Sequence, residues 1–187
     1  MIGKFHSFRQ HLGQQDPVVL LSLINTYIMS LYGSNIWDLS SAQSERVDKA
    51  WNSIVRTVFG VPINTHRFIV ENLTEGKHIR VKLLKRFQNF YKQLESSRKR
   101  EVLQLIRLTK SDNRSVFGRN CRYLLERTGA QNVCEADFNI KIYPVPEGCD
   151  WKLSVINELM DFKRGLINID LVTQEEAGQI IDNLCSY

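Results

Sequence analysis

Seven apolar side chains in "SERVDKAWNSIVRTVFGVP" (Val47, Ala50, Trp51, Ile54, Val55, Val58 and Phe59) fall at offsets 0, 3, 4, 7, 8, 11 and 12 from the first. An α-helix turns about 100° per residue, so all seven share one face; on a strand they would scatter over both. A stripe that long needs an apolar partner along its whole length, which commits the chain to helix-on-helix packing. Ser40 or Ser41 can cap the start, and Gly60 followed by Pro62 stops the helix.

The same periodicity recurs on both sides. In "DPVVLLSLINTYIMSLY", Asp16 suits an N-cap and Pro17 the first helical position, where its missing N–H costs nothing. Leu20, Leu23 or Ile24, Tyr27 and Leu31 then follow helical spacing, and Gly33 can end the helix in a left-handed conformation. "GKHIRVKLLKRFQNFYKQLESS" puts Leu83, Leu84, Phe87, Phe90, Tyr91 and Leu94 on one face and Lys82, Lys85, Asn89 and Lys92 on the other. "RKREVLQLIRLTKSD", capped by Ser96 or Ser97, should turn Val102, Leu105 and Ile106 inward. "SVFGRNCRYLLERTG" is capped by Ser115 and closed by Gly129. Near the end, "DWKLSVINELMDFKRGL" aligns Trp151, Val155, Leu159, Phe162 and Leu166, and "TQEEAGQIIDNLCSY" opens with a capping box from Thr173 to Glu176.

The expected fold is therefore mainly α, an irregular helical bundle, with one short strand or extended linker near 138–143. A helical domain over 1–129, with basic helices at 77–127, is followed by a linker at 130–150 and an acidic helical pair at 151–187.

No window approaches the roughly 18 uninterrupted apolar residues of a membrane span. The N-terminal "MIGKFHSFRQHLGQQD" has no apolar core before a small-residue cleavage site, so an intracellular protein of nucleus or cytoplasm is expected. Cys121, Cys134, Cys149 and Cys185 form no Cys-x-x-Cys pair and lie away from the four histidines, which argues against zinc and for reduced thiols. The phosphate-loop, dinucleotide, nucleophile-elbow and His-Glu-x-x-His motifs are absent, and no two aspartates are adjacent. His66 in "NTHRF" reads as a cap or packing residue. No catalytic residue, metal or cofactor is expected.

Charge is more informative when divided along the chain. Residues 1–76 balance at zero, 77–127 carry fifteen basic and four acidic side chains for +11, and 128–187 carry −6. In the basic block Lys82, Lys85 and Lys92 line one helical face, and Arg98, Lys99 and Arg100 follow at its end. Such a stripe can neutralise several phosphates of RNA or DNA. Alternatively, the block is a solvated surface, or it pairs with the acidic tail. Phe87, Phe90 and Tyr91 fall on the inner face and are not expected to stack on bases.

The order of several segments carries a resemblance. "LINTYIMSLYGSNIWDL" leads into "AWNSIVRTVFGVPINTHR", then "RFQNFYKQLESS" and "SDNRSVFGRN". This order resembles the region that follows the polymerase core in reverse transcriptases of non-LTR (LINE-type) retrotransposons. The matching residues are Tyr32, Gly33, Ser34, Trp37, Trp51, Arg56, Gly60, Pro62, Thr65, His66, Arg86, Phe87 and Phe90, and the likeness covers residues 1–125. It implies a thumb or connector that grips a template–primer duplex, within a parent activity of RNA-directed DNA synthesis and alongside the remainder of the polymerase chain. Tyr32 and Trp37 would then be packing residues of a helical bundle. A polymerase needs paired aspartates to hold two metal ions, and this chain has none. The endonuclease module and Cys/His knuckle are likewise missing. The expectation is a non-catalytic C-terminal fragment; the alternative is a stand-alone helical interaction module whose acidic tail masks the basic block.

Overall fold

Residues 16–28, 31–74 and 78–163 are described by the computed structural model of the protein. They form seven α-helices: α1 (Pro17–Leu23), α2 (Ala42–Phe59), α3 (Arg67–Leu73), α4 (Ile79–Glu95), α5 (Arg100–Ser111), α6 (Val116–Thr128) and α7 (Asp150–Lys163). A π-helical turn (Ile24–Ile28) follows α1, and 3-10 turns occupy Ser34–Ile36 and Val133–Glu135. The mainly helical fold expected from periodicity is the fold found. No strand occurs among the described residues, and Ala136–Lys141 runs without regular structure. No described helix is long and apolar enough to cross a membrane.

The chain folds as two compact units, one of Met1–Met29, Ala50–Glu75 and Tyr143–Tyr187, the other of Ser30–Lys49 and Gly76–Ile142. In the first, Asp16 caps α1 by accepting from the N–H groups of Val18 at 2.7 Å and Val19 at 3.3 Å. Trp51, Ile54, Val55 and Phe59 are buried, as the stripe demands. Gly60, at φ 64°, lets the Val61 N–H reach back to the Arg56 carbonyl at 3.0 Å, a left-handed closure that a residue with a Cβ would resist. Arg56 Nη2 then donates to the Thr65 carbonyl at 2.7 Å, fixing the loop into α3. Packing joins α3 to α7, where Asn72 Nδ2 donates to Asn157 Oδ1 at 2.9 Å. The buried Glu71 carboxylate accepts the Tyr143 N–H at 2.7 Å.

Several expectations are corrected here. Tyr27 is 72% exposed, because the π turn inserts a residue and rotates it off the stripe begun by Leu20. Helix α3 was not expected at all. In α7, Trp151 is 53% exposed, while Lys152 and Ile156, four apart, face inward and Val155 is half-buried. The side chains of Leu159, Phe162 and Leu166, and the capping box from Thr173 to Glu176, lie outside the described residues.

In the second unit, α4 packs against α5 and both 3-10 turns, and α6 packs against α5 and the Val133–Glu135 turn. Burying side chains such as Leu84 and Phe87, each 1% exposed, contributes roughly 2–3 kcal/mol apiece. Gln88 is buried in α4 and its Nε2 donates to the carbonyls of Val133 at 2.9 Å and Ala136 at 2.9 Å. The segment after α6 is thereby tied to α4. Leu105, expected inward, is 62% exposed. Ile106 occupies the centre of the inner arc with Val102 and Leu103 beside it, and Leu105 sits about 100° around the helix.

Candidate nucleic-acid interface

Helix α4 begins at His78, whose Nδ1 accepts the Arg80 N–H at 3.2 Å. Its other ring nitrogen, Nε2, faces Asp48 Oδ1 at 3.1 Å. Arg80 Nη2 lies 3.2 Å from the other Asp48 oxygen, and Nη1 donates to the Tyr123 hydroxyl at 2.9 Å. His78 and Asp48 are fully enclosed, so the group holds helices in place and offers nothing to a substrate. The sequence reading missed it. The available signal was Asp48 itself, a carboxylate on the same helical face as Trp51 and Val55.

The other end of the unit is fixed by α6. Arg119 donates to Asp38 Oδ2 from Nε at 3.1 Å and from Nη2 at 2.7 Å. Burial works against the Asp38 charge, but bonds from Ser40 and Arg119 outweigh it and hold the carboxyl below its usual range. Asn120 clamps the same loop, accepting from the Leu39 N–H at 2.9 Å and donating to the Trp37 carbonyl at 2.7 Å.

These clamps leave the 31–37 segment on the surface. Tyr32 is 92% exposed and so does not pack in a bundle as expected, while Trp37 is 36% exposed and only partly covered. Tyr32 and Gly33 are the central residues of a turn closed by the Ser34 N–H on the Leu31 carbonyl at 3.0 Å, with Gly33 at φ 70°. A turn projects its second residue outward; Leu31 and Ser34 on either side are the buried ones. Gly33 thus serves this turn, while residues 29–30 before it lie outside the described ones.

On α4 the inner face is Leu83, Leu84, Phe87 and Tyr91, with Phe117 of α6 stacked on Tyr91 at 5.7 Å. Phe90 is only half-buried. The outer face presents Lys85, Asn89 and Lys92, all exposed, as the spacing requires. Lys82, the fourth member, is half-buried. Arg86 is exposed on the same face and extends the stripe, although the sequence reading used it only in the resemblance. Arg98 and Lys99 lie in the link to α5 and Arg100 begins that helix; all three are exposed. None of Lys85, Arg86, Lys92, Arg98, Lys99 and Arg100 pairs with a carboxylate among the described residues. Lys85 Nζ sits over the Phe138 ring at 5.7 Å.

By sequence the second unit holds eighteen basic and nine acidic side chains, for +9, and the first unit totals −4. The stripe from Lys82 to Lys92 runs about 15 Å along the helix axis. A nucleic-acid strand in a B-form duplex rises about 3.4 Å per phosphate, so about four phosphates fit along it. Thiol chemistry is not favoured: burial pushes Cys121 up to about 11, and burial with the Glu95 carboxylate raises Cys134. The three described cysteines are unbridged, and no three His, Cys, Asp or Glu side chains converge on a metal position among the described residues. Compared with protein-family models, with curated proteins and with solved structures, the chain matches none.

Proposed function

We propose that this chain is a non-catalytic C-terminal portion of a non-LTR retrotransposon reverse transcriptase, and that it contacts the backbone of RNA or DNA through the basic region of its second unit. The observation that carries the reading is the set of exposed cations on α4 and at the start of α5, from Lys85 to Arg100, left without carboxylate partners among the described residues. Charges that served only packing would be found beside acidic groups, as Arg80 and Arg119 are. Unpaired cations in one stripe neutralise phosphates without reading sequence. The family assignment rests on the order of segments from "LINTYIMSLYGSNIWDL" to "SDNRSVFGRN".

The test uses the purified chain with a primed template. The expected result is binding with little sequence preference, no primer extension, and an affinity falling with salt at a log–log slope of about −4 to −5 on duplex. Primer extension, or binding indifferent to salt, overturns the reading.

A further inference from the structure

Beside the basic stripe the second unit carries a groove of about 160 Å³, lined by Asn35, Ile36, Phe87, Phe90, Val116 and Phe117. Its mouth is open apolar surface: Ile36 is 67% exposed and Val116 37%. An apolar cavity of roughly 150 Å³ takes one benzene-sized ring. The polar groups at the groove differ in what they have left to offer. Asn120 has committed its amide to Leu39 and Trp37, whereas the Asn35 side chain makes no hydrogen bond among the described residues.

The helical register joins this groove to the stripe. Arg86 lies four residues before Phe90 on α4, so an unpaired cation stands one turn from the aromatic wall. A lone apolar side chain filling the groove would leave that cation without a partner, whereas a single nucleotide supplies both a flat ring and a phosphate. We propose that the groove receives one unpaired nucleobase from a single-stranded stretch, with the neighbouring phosphates on Arg86 and Lys85 and the Asn35 amide at the base edge. This rests on the preceding reading, that the basic region meets nucleic acid, and adds selection for unpaired bases.

The experiment measures the full chain, at one salt concentration, against a labelled short single strand, its duplex, and the same single strand made abasic. The expected result is that the base-bearing strand binds at least about fivefold more tightly than the abasic one. Ile36→Ala and Val116→Ala, both at exposed positions, should each reduce that advantage while leaving duplex affinity and thermal stability unchanged. Equal affinity for base-bearing and abasic strands overturns the groove assignment and leaves backbone binding standing. Failure to bind any of the three forms removes both. If the variants weaken duplex and single strand alike, or if Ile36→Ala abolishes a self-association while base discrimination is absent, the groove is not a base pocket.

Discussion

Arg119 and Asp38, 81 residues apart in sequence, meet through two guanidinium hydrogen bonds to a single carboxylate oxygen, at 2.7 and 3.1 Å. The contact ties the loop before α2 to α6, and it places a pH dependence on that loop. Asp38 is held below its ordinary carboxyl range, so its contribution is complete above that range and is lost as pH falls through the lower folded-state value. Both side chains are partly exposed, which limits the pair to about 1 kcal/mol. Urea unfolding of the wild type and of Asp38→Asn should differ by about that much at pH 7, and the two curves should converge below about pH 4. A constant gap across that range would remove the ion pair from the account.

The group in which Arg80 meets the enclosed Asp48 and His78 predicts a larger effect. Removing Asp48 leaves Arg80 and His78 facing an empty carboxylate site, a change that typically costs about 3–5 kcal/mol. Asp48→Ala should therefore fall at or near the unfolding threshold in denaturant titration. A stable Asp48→Ala protein with altered nucleic-acid affinity would instead make the cluster functional.

Gly118 provides a steric test. A Cβ at this position would lie 2.6 Å from the Thr109 carbonyl oxygen and would also strike the Asp112 carbonyl, both of them backbone atoms. Neither can move without disturbing the α5–α6 junction. Gly118→Ala should destabilise the protein by about 2 kcal/mol, measured as a shift in urea midpoint at unchanged slope. A neutral substitution would mean that the two helices meet less closely than described.

The alternative role of the acidic C-terminal segment is tested by charge alone. Changing Asp170, Glu175, Glu176 and Asp182 to their amides removes four negative charges from the full chain. If the tail does not pair with the basic block, affinity should change by no more than about twofold at moderate salt, which weakens interactions between charges that are not in contact. A rise of tenfold or more would favour a tail that masks the basic block.

What could be read from sequence follows the length and purity of each pattern. Helix α2 was legible because its apolar stripe runs unbroken from Val47 to Phe59 and the helix ends in a left-handed glycine. The stripe on α4 was legible because Lys85 and Lys92 alternate with Leu84, Phe87 and Tyr91 at helical spacing. Helix α3 was not, since "RFIVENL" is short and almost continuously apolar at its start, a run that suits strand or helix equally. Leu105 misled because α5 carries aliphatic residues on more than one side, exposed Leu108 among them, and local pattern does not say which side meets a neighbour. Tyr32 was expected to pack because the resemblance implied it, but it is a central residue of a tight turn, which sets its exposure. The Asp48 cluster and the groove at Phe90 each depend on residues distant in sequence, and no local signal links them.

The most direct measurement is the salt dependence of duplex binding for the wild type against a variant with Lys85, Lys92, Arg98, Lys99 and Arg100 all changed to glutamine. These positions are exposed and without carboxylate partners among the described residues, so the fold should be retained, which a circular dichroism melt will verify. The account predicts that the log–log slope becomes shallower by about 4, with affinity falling at every salt concentration. A folded variant with wild-type slope and affinity would contradict it, because the basic stripe would then not be where the backbone binds.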